Sequence, residues 1–555
     1  MKKKILLVLA CALILAIVGC SSNRANSHAE PEGNLIAITP IYDSGNNYTV
    51  TMPEEASYVP PHFTATEIVA PIFDTVRSFS NGYAVVGMGQ VWNDEEWRWE
   101  RGLYGLIDKD GNLVLPIIYD RIGDIIDTVA VDDCVFVIVR YNGKSGLLTV
   151  RGDEILPIIY TRVSIHNNLA VVSYGEGHRR TAGLFNISTG EFVIPKGTYV
   201  AIGTFIYDDA FGPWNGIAEV NYNDRWGLVD TEGNYVLEPI FDSMRHLQQY
   251  VWRTDFRYFP VSHNGVQDIW DMAEGRLAVS HMSSVILDIY STFAIVRYGQ
   301  WYDGLEGVIN IETGEYVIPL GHMHFGNNNL RNGLTLVSEG SWGSYYKKGV
   351  VDIRTGEIVA DFIYDDLRWE QGIERDYIIF QIGAERERRS WDGDYFYALL
   401  DGLFGVMDSY GNIIIPPIYS FIQHMHNSSD LFAVTLSCKQ NGTKMGVING
   451  SGEIILPIAY THVGQFFHTP GFSTNFAPIN IGAEWVWDNS VASYWGDGGH
   501  ELRGGKWGFI DTSGNLIIPA ELEYDLVYPV VDGMAAVRRD GKWGFVAVRP
   551  DKTDR

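Results

Sequence analysis

Residues 504 to 519, GGKWGFIDTSGNLIIP, alternate in the two-residue period of a strand: Trp507, Phe509 and Asp511 on one side, Gly508 and Ile510 on the other. An aspartate and a glycine then frame a turn, Asp511 to Gly514, and a second apolar run follows, Asn515 to Ile518. Asp108 to Gly111, Asp230 to Gly233 and Asp408 to Gly411 repeat that turn. Asn186 to Gly190, Asn310 to Gly314 and Asp352 to Gly356 use a version one residue longer. Aspartate opening a type I turn closed by a left-handed glycine predicts a hairpin with a bulge. Apolar runs such as Gly82 to Val86, Leu169 to Val172, Phe293 to Val296 and Met534 to Val537 supply a third strand. No comparable stretch carries helical spacing, so the pattern predicts an all-β chain of meanders with at least three strands each.

Proline follows the turn glycine by five residues at Pro116, Pro157, Pro195, Pro319, Pro416, Pro457 and Pro519, and by six at Pro239. Lacking an N–H, it is expected to end pairing at the same place in each meander. An aromatic residue, often with an aspartate, comes next: Tyr119-Asp120, Phe241-Asp242, Tyr364-Asp365 and Tyr524-Asp525.

The strand glycine recurs at 105, 146, 183, 227, 307, 349, 405, 446, 508 and 544, at intervals of 41, 37, 44, 80, 42, 56, 41, 62 and 36. The interval of 80 holds a worn copy, Ile269-Trp270-Asp271 with Gly275 to Val279, which makes eleven units. A period near 40 residues marks a repeat architecture. A small hairpin cannot bury an apolar face alone, so copies must pack on one another, with Trp226-Gly227, Trp507-Gly508 and Trp543-Gly544 expected as joints between them. Ser145, Ala182 and Glu306 stand where others have tryptophan, and looser joints are expected there.

Lys506 to Asp511, with Gly514-Asn515 and Ile517-Ile518-Pro519, resembles the WG-containing repeat (WG β-repeat) family of bacterial proteins. Lys542 to Phe545 and Arg225 to Leu228 match nearly as well, and the register runs from about Thr66 to Val548. The resemblance implies a surface or secreted β-repeat scaffold without a shared catalytic activity. Eleven units exceed the usual four to eight blades of a propeller. An elongated propeller-like or solenoid β stack is therefore expected, with closed β-propellers as the alternative. The repeat region opens on the second half of a unit, Glu67 to Asp74, and closes on the first half of one, Trp543 to Val546, so the halves could pair across a ring.

Other features bear on function. Lys2, Lys3 and Lys4 precede an apolar run from Ile5 to Val18, and Ile17-Val18-Gly19-Cys20 resembles a lipoprotein lipobox. Residues 1 to 19 are expected to be a signal peptide, Cys20 the lipidated residue, and 20 to 62 a tether that leaves the protein anchored outside the cytoplasm on the bacterial membrane. Residues 63 to 549 form the repeat domain and 550 to 555 a tail. Four cysteines, two of them in the leader region, exclude a disulfide framework. A net charge of -27 argues against nucleic acid as partner.

Insertions near 90–101, 384–397 and 483–499 carry the candidate binding residues Trp97, Trp99, Trp391, Tyr395, Trp485, Trp487 and Trp495. Aromatic rows beside carboxylates suit a glycan or peptide, although such stripes are also ordinary core. His322-Met323-His324 and His424-Met425-His426 offer too few ligands for a metal site, and Asp108 to Asn112 lacks the distal glutamate of a calcium loop. No metal and no cofactor are expected. GxSxG, HExxH and a phosphate loop are absent. The expected function is a non-catalytic, lipid-anchored binding scaffold for a glycan, peptide or envelope protein. The alternatives are a glycan hydrolase using Glu95 or Glu96, and a passive spacer. The oligomeric state is left open.

Overall fold

A computed structural model describes residues 63–93, 98–100, 102–127, 134–175, 177, 180–207, 215–244, 257–282, 285–299, 304–339, 347–371, 376–391, 394–425, 430–438, 442–466, 476–488 and 499–550. These form strands and turns, with no α-helix among the described residues. Nine sheets have four strands each, and one of eight strands holds two further units linked by the pair Phe476 and Val530. The chain is therefore all-β and repetitive, with one strand per unit more than the hydrophobic pattern alone showed.

The fourth unit displays the plan. Its strands Ala201–Ile202, Ala218–Tyr222, Arg225–Val229 and Tyr235–Phe241 pair in chain order, each antiparallel to the next. Tight turns with positive φ at both central residues join the second strand to the third, as at Asn142-Gly143, Asn223-Asp224, Asn264-Gly265 and Asp540-Gly541. Asn-Gly and Asp-Gly favour that turn because both positions must be left-handed. The turn between third and fourth strands is held from within. Asp511 Oδ1 accepts the N–H of Asn515 at 2.8 Å while Oδ2 accepts the Asn515 amide at 2.9 Å. Asp108, Asp230 and Asp408 bind Asn112, Asn234 and Asn412 in the same way. That use of the carboxylate accounts for the calcium-like spelling at Asp108.

The strand glycine has a different neighbour from the one expected. Trp226 pairs with Phe241 and Leu228 with Leu237, so a two-residue step on the third strand faces a four-residue step on the fourth. The fourth strand bulges there, and its carbonyl presses on the glycine. A Cβ at Gly105, Gly146, Gly349, Gly405 or Gly446 would lie 2.7 to 2.8 Å from the carbonyl oxygen of Leu115, Leu156, Ala360, Ile415 or Leu456. At Gly227, Gly508 and Gly544 the carbonyls of Leu237, Ile518 and Val69 stand closer still. The glycine thus serves its own sheet and not the joint to a neighbour. Proline is also reassigned: Pro239 and Pro116 lie inside the strands Tyr235–Phe241 and Leu113–Tyr119, within the bulge, where a missing N–H costs no ladder bond. Pairing resumes beyond them.

Asp268 provides an internal comparison. It stands where other units have the glycine, and in its unit Gln267 pairs with Met282 and Ile269 with Val279, a step of three residues that the unit of Gly307 shares, with Glu306 on Gly321 and Val308 on Ile318.

Eleven apolar clusters lie between sheets. Leu106, Leu115 and Tyr119 of the first unit meet Ile122, Val137 and Val139 of the second. Phe136, Leu156 and Tyr160 of the second meet Val163, Ala170 and Val172 of the third, and the succession continues unit by unit. The last cluster joins the eleventh unit to the first, with Phe545, Met534 and Val69 against Phe79, Ala84 and Ile107. Strand Phe63–Phe73 completes the eleventh unit by pairing along Lys542–Pro550. Among the described residues each of the eleven units thus has two neighbours, and the contacts are those of the closed alternative, not of an open stack. Two exposed sheet faces would have remained at the ends of a stack; the closing cluster packs them on each other.

The indoles do meet these seams. Trp507 is fully buried in the cluster between the tenth and eleventh units, and its Nε1–H donates to the Tyr524 carbonyl at 3.0 Å. Trp226 is half-buried against the fourth seam, and Trp543 against the closing one, where the Tyr528 ring centroid lies 4.8 Å away. The aromatic residue after each bulge is the more regular seam element: Tyr119, Tyr160, Tyr199, Phe241, Tyr364 and Tyr419 are all buried. Glu306, at a tryptophan position, is buried but fully engaged. Arg297 Nε donates to it at 2.7 Å and the Phe325 N–H at 2.6 Å, with His324 3.5 Å away.

Two outcomes follow. Gly508→Ala forces a methyl onto the Ile518 carbonyl, and thermal unfolding should show a loss of about 1–3 kcal/mol, the usual cost of overpacking; a neutral result would contradict the bulge. Thr64 and Arg549 are exposed register partners. Thr64→Cys with Arg549→Cys should form an intramolecular disulfide on oxidation, seen by mass spectrometry and altered gel mobility, whereas an open stack keeps both thiols free.

Candidate functional site

The connection between second and third strands, two residues long in several units, carries an additional hairpin in three among the described residues. Val91–Asn93 pairs with Arg98–Glu100 in the first unit, Glu385–Trp391 with Asp394–Leu400 in the eighth, and Glu484–Asp488 with Gly499–Arg503 in the tenth. The three insertions thus leave their sheets at an equivalent place. In register, Trp92 faces Trp99, Ser390 faces Tyr395, Trp391 faces Asp394, Trp485 faces Leu502 and Trp487 faces His500. Trp97, Trp495, Glu95 and Glu96 lie outside the described residues.

Left-handed glycines stand at the hairpin bases: Gly89, Gly383 and Gly402, and Gly482 with Gly505. The aspartate or threonine after the bulge aromatic latches each base. Asp74 Oδ2 accepts the N–H groups of Gly89 at 2.6 Å and Gln90 at 3.1 Å, Asp365 accepts Ala384 N–H at 3.0 Å, and Thr461 Oγ1 accepts Gly482 N–H at 2.9 Å. The short turns are held likewise, by Asp120 on Gly143 and Asp242 on Gly265. Sequence reading noted these aspartates without a role; their signal was their fixed place after the aromatic. Burial works against ionisation of Asp74, but Lys542 and the two N–H groups outweigh it and hold its carboxyl below the ordinary aspartate value.

A second candidate was missed in the sequence. A cleft of about 510 Å³ between the second and third units is lined by Arg121, Arg140 and Arg162, with Ser145, Ser164 and Asp124 among its other walls. A smaller cleft of about 370 Å³ shares Arg121 and Arg140 and reaches Gly102, next to the base of the first hairpin. The three arginines are separated by 19 and 22 residues in the chain, so only strand register brings them together.

The histidines of the two pairs have different surroundings. His322 is exposed, His324 approaches Glu306, His424 is buried among Tyr377 and Phe432, and His426 lies outside the described residues. Among the described residues no group of three His, Cys, Asp or Glu could hold a metal ion. Cys134 is a free thiol at the second seam.

The WG containing repeat matches the chain at residues 64–92, 104–127, 226–249, 404–436, 445–468 and 507–543. No curated protein matches by sequence. Among solved structures the chain is similar to a eukaryotic initiation factor, at 8% identity, over 81% of this chain and 96% of that one, with a TM-score of 0.35. It is also similar to the Dos1 propeller, at 8% identity over 88% and 94% with a TM-score of 0.24, and to the tricorn protease, at 11% over 88% and 58% with a TM-score of 0.20. Likeness at these scores carries nothing about activity.

Two half-buried histidines give the protein an acid limit. Burial lowers His462, packed against the Trp507 ring, to about 4, and burial together with the Arg162 charge lowers His166 to about 4. The unfolded chain protonates these groups near 6.5, so their contribution is whole above that pH and is lost as pH falls toward 4. The thermal midpoint should drop through this window, each histidine accounting for about 3 kcal/mol at the limit. His166→Gln with His462→Gln should flatten the drop; an unchanged slope would count against burial as its cause.

Proposed function

From the premise that the chain is built on the WG-containing repeat, we propose that it is a non-catalytic binding scaffold, lipid-anchored through Cys20 outside the cytoplasm, whose hairpins contact a glycan. The observation carrying this reading is the placement of three aromatic-bearing hairpins on equivalent turns of the eighth, tenth and first units. In the closed succession these units fall within five consecutive sheets, so one extended polymer can meet all three. Flat aromatic rings suit the CH faces of sugars, and several weak contacts linked on one scaffold add through effective concentration. Strands support such contacts better than loose loops do, because register holds Trp485 and Trp487 two residues apart on one strand.

Residues 63–550 contain every sheet and every seam among the described residues. Passed over immobilised neutral and acidic polysaccharides, this fragment should be retained by at least one and release no new reducing ends. Trp99→Ala combined with Trp487→Ala should weaken retention about tenfold, the equivalent of 1.4 kcal/mol. New reducing ends that vanish in Glu96→Gln would make it a hydrolase, and a lack of retention on any polymer would make it a spacer. For the anchor, Cys20→Ser should move the protein from the membrane fraction to the medium and abolish incorporation of labelled fatty acid.

A further inference from the structure

We propose that the cleft between the second and third units is a binding site for a small anionic ligand, whose phosphate or carboxylate group is held by Arg121, Arg140 and Arg162. The chain has 68 acidic and 41 basic residues. Many arginines take one of these carboxylates, as Arg225, Arg257, Arg297 and Arg354 do. Arg121, Arg140 and Arg162, all three exposed, instead line one cleft together, and among the described residues none of them has an ion pair or a side-chain hydrogen bond.

Their arrangement costs stability. Arg121 and Arg140 are direct cross-strand partners on antiparallel strands, where like charges repel. Arg162 opens the first strand of the next unit, Arg162–His166, and its charge also opposes protonation of His166. The nearby carboxylates do not relieve this. Asp120 Oδ2 accepts the Gly143 N–H at 2.8 Å, as its equivalents do in other units. Asp124 is almost wholly exposed and its ion partner is Arg77 of the first unit, 3.9 Å away.

The cleft has the form of a small-molecule site. Its volume of about 510 Å³ falls within the ordinary range for such ligands. Ile138, Val163 and Ile165 give it an apolar side, and the hydroxyls of Ser145 and Ser164 add neutral hydrogen-bonding groups. Guanidinium forks match the oxygens of phosphate and carboxylate, and three of them favour a compact anionic head over a neutral one. A ligand with a carbon skeleton behind that head, such as a sugar phosphate or an acidic sugar, uses both sides of the cleft.

This site does not depend on the hairpin reading, and its test uses no polymer. The full-length chain is titrated calorimetrically at constant ionic strength with inorganic phosphate, glucose 6-phosphate, glucuronate and glucose. Saturable binding of one or more anions is expected, with glucose silent; the strongest anion tells phosphate from carboxylate. Arg121→Gln with Arg140→Gln should weaken that binding at least tenfold. The single variant Arg140→Gln should raise the thermal midpoint without ligand, because it removes a repulsion, which also shows that the sheet still folds. The absence of saturable binding by all three anions, or equal binding by the double variant, would overturn the proposal.

Discussion

A carbonyl oxygen pressed against a position that has no Cβ is the contact on which each repeat depends. Gly227, Gly508 and Gly544 all sit beneath a bulged fourth strand. The bulge sets two residues against four, and that step turns the following aromatic into the seam. A side chain at the glycine would push the fourth strand away, and Phe241 or its equivalent would leave the core it shares with the next sheet. One backbone constraint inside a sheet thus controls the packing between sheets. The step is not the same length everywhere: it shortens to three residues in the unit of Asp268 and also in that of Gly307.

The seams act together because the succession closes. Each small sheet has too little apolar area to be stable alone, and each gains a neighbour on both faces. Phe63–Phe73 carries that logic to the ends of the domain: it supplies the edge that Lys542–Pro550 lacks and brings Val69 into the final core. With the cores fully occupied, variation is confined to turns. The connection from second to third strand tolerates long additions because the same aspartate or threonine latch holds its base, whether the turn is short or extended.

Electrostatics divides the molecule differently. Many carboxylates of this acidic chain are used locally, on turns such as Asp511 with Asn515 or on latches such as Asp365. Glu306, buried with Arg297 and His324, replaces an indole by a charge network without leaving the position empty. Against that background, adjacent arginines without partners mark a place where folding alone does not account for the charges.

The strands, the two turn lengths and the eleven units were legible in the sequence, because strand alternation and turn chemistry are local and act within a few residues. The worn unit around Trp270 could be placed for the same reason. Other features depended on contacts distant in sequence. The glycine's neighbour, the proline inside a bulge and the first-to-second-strand pairing required knowing which strands face each other. Closure required matching residue 63 with residue 550. The arginine cleft needed both register and the approach of two sheets, since Arg121, Arg140 and Arg162 share no local motif. Sequence determined the repeating element through short-range sterics; only the tertiary structure decided how copies meet, because seams and clefts arise between surfaces that no single repeat contains.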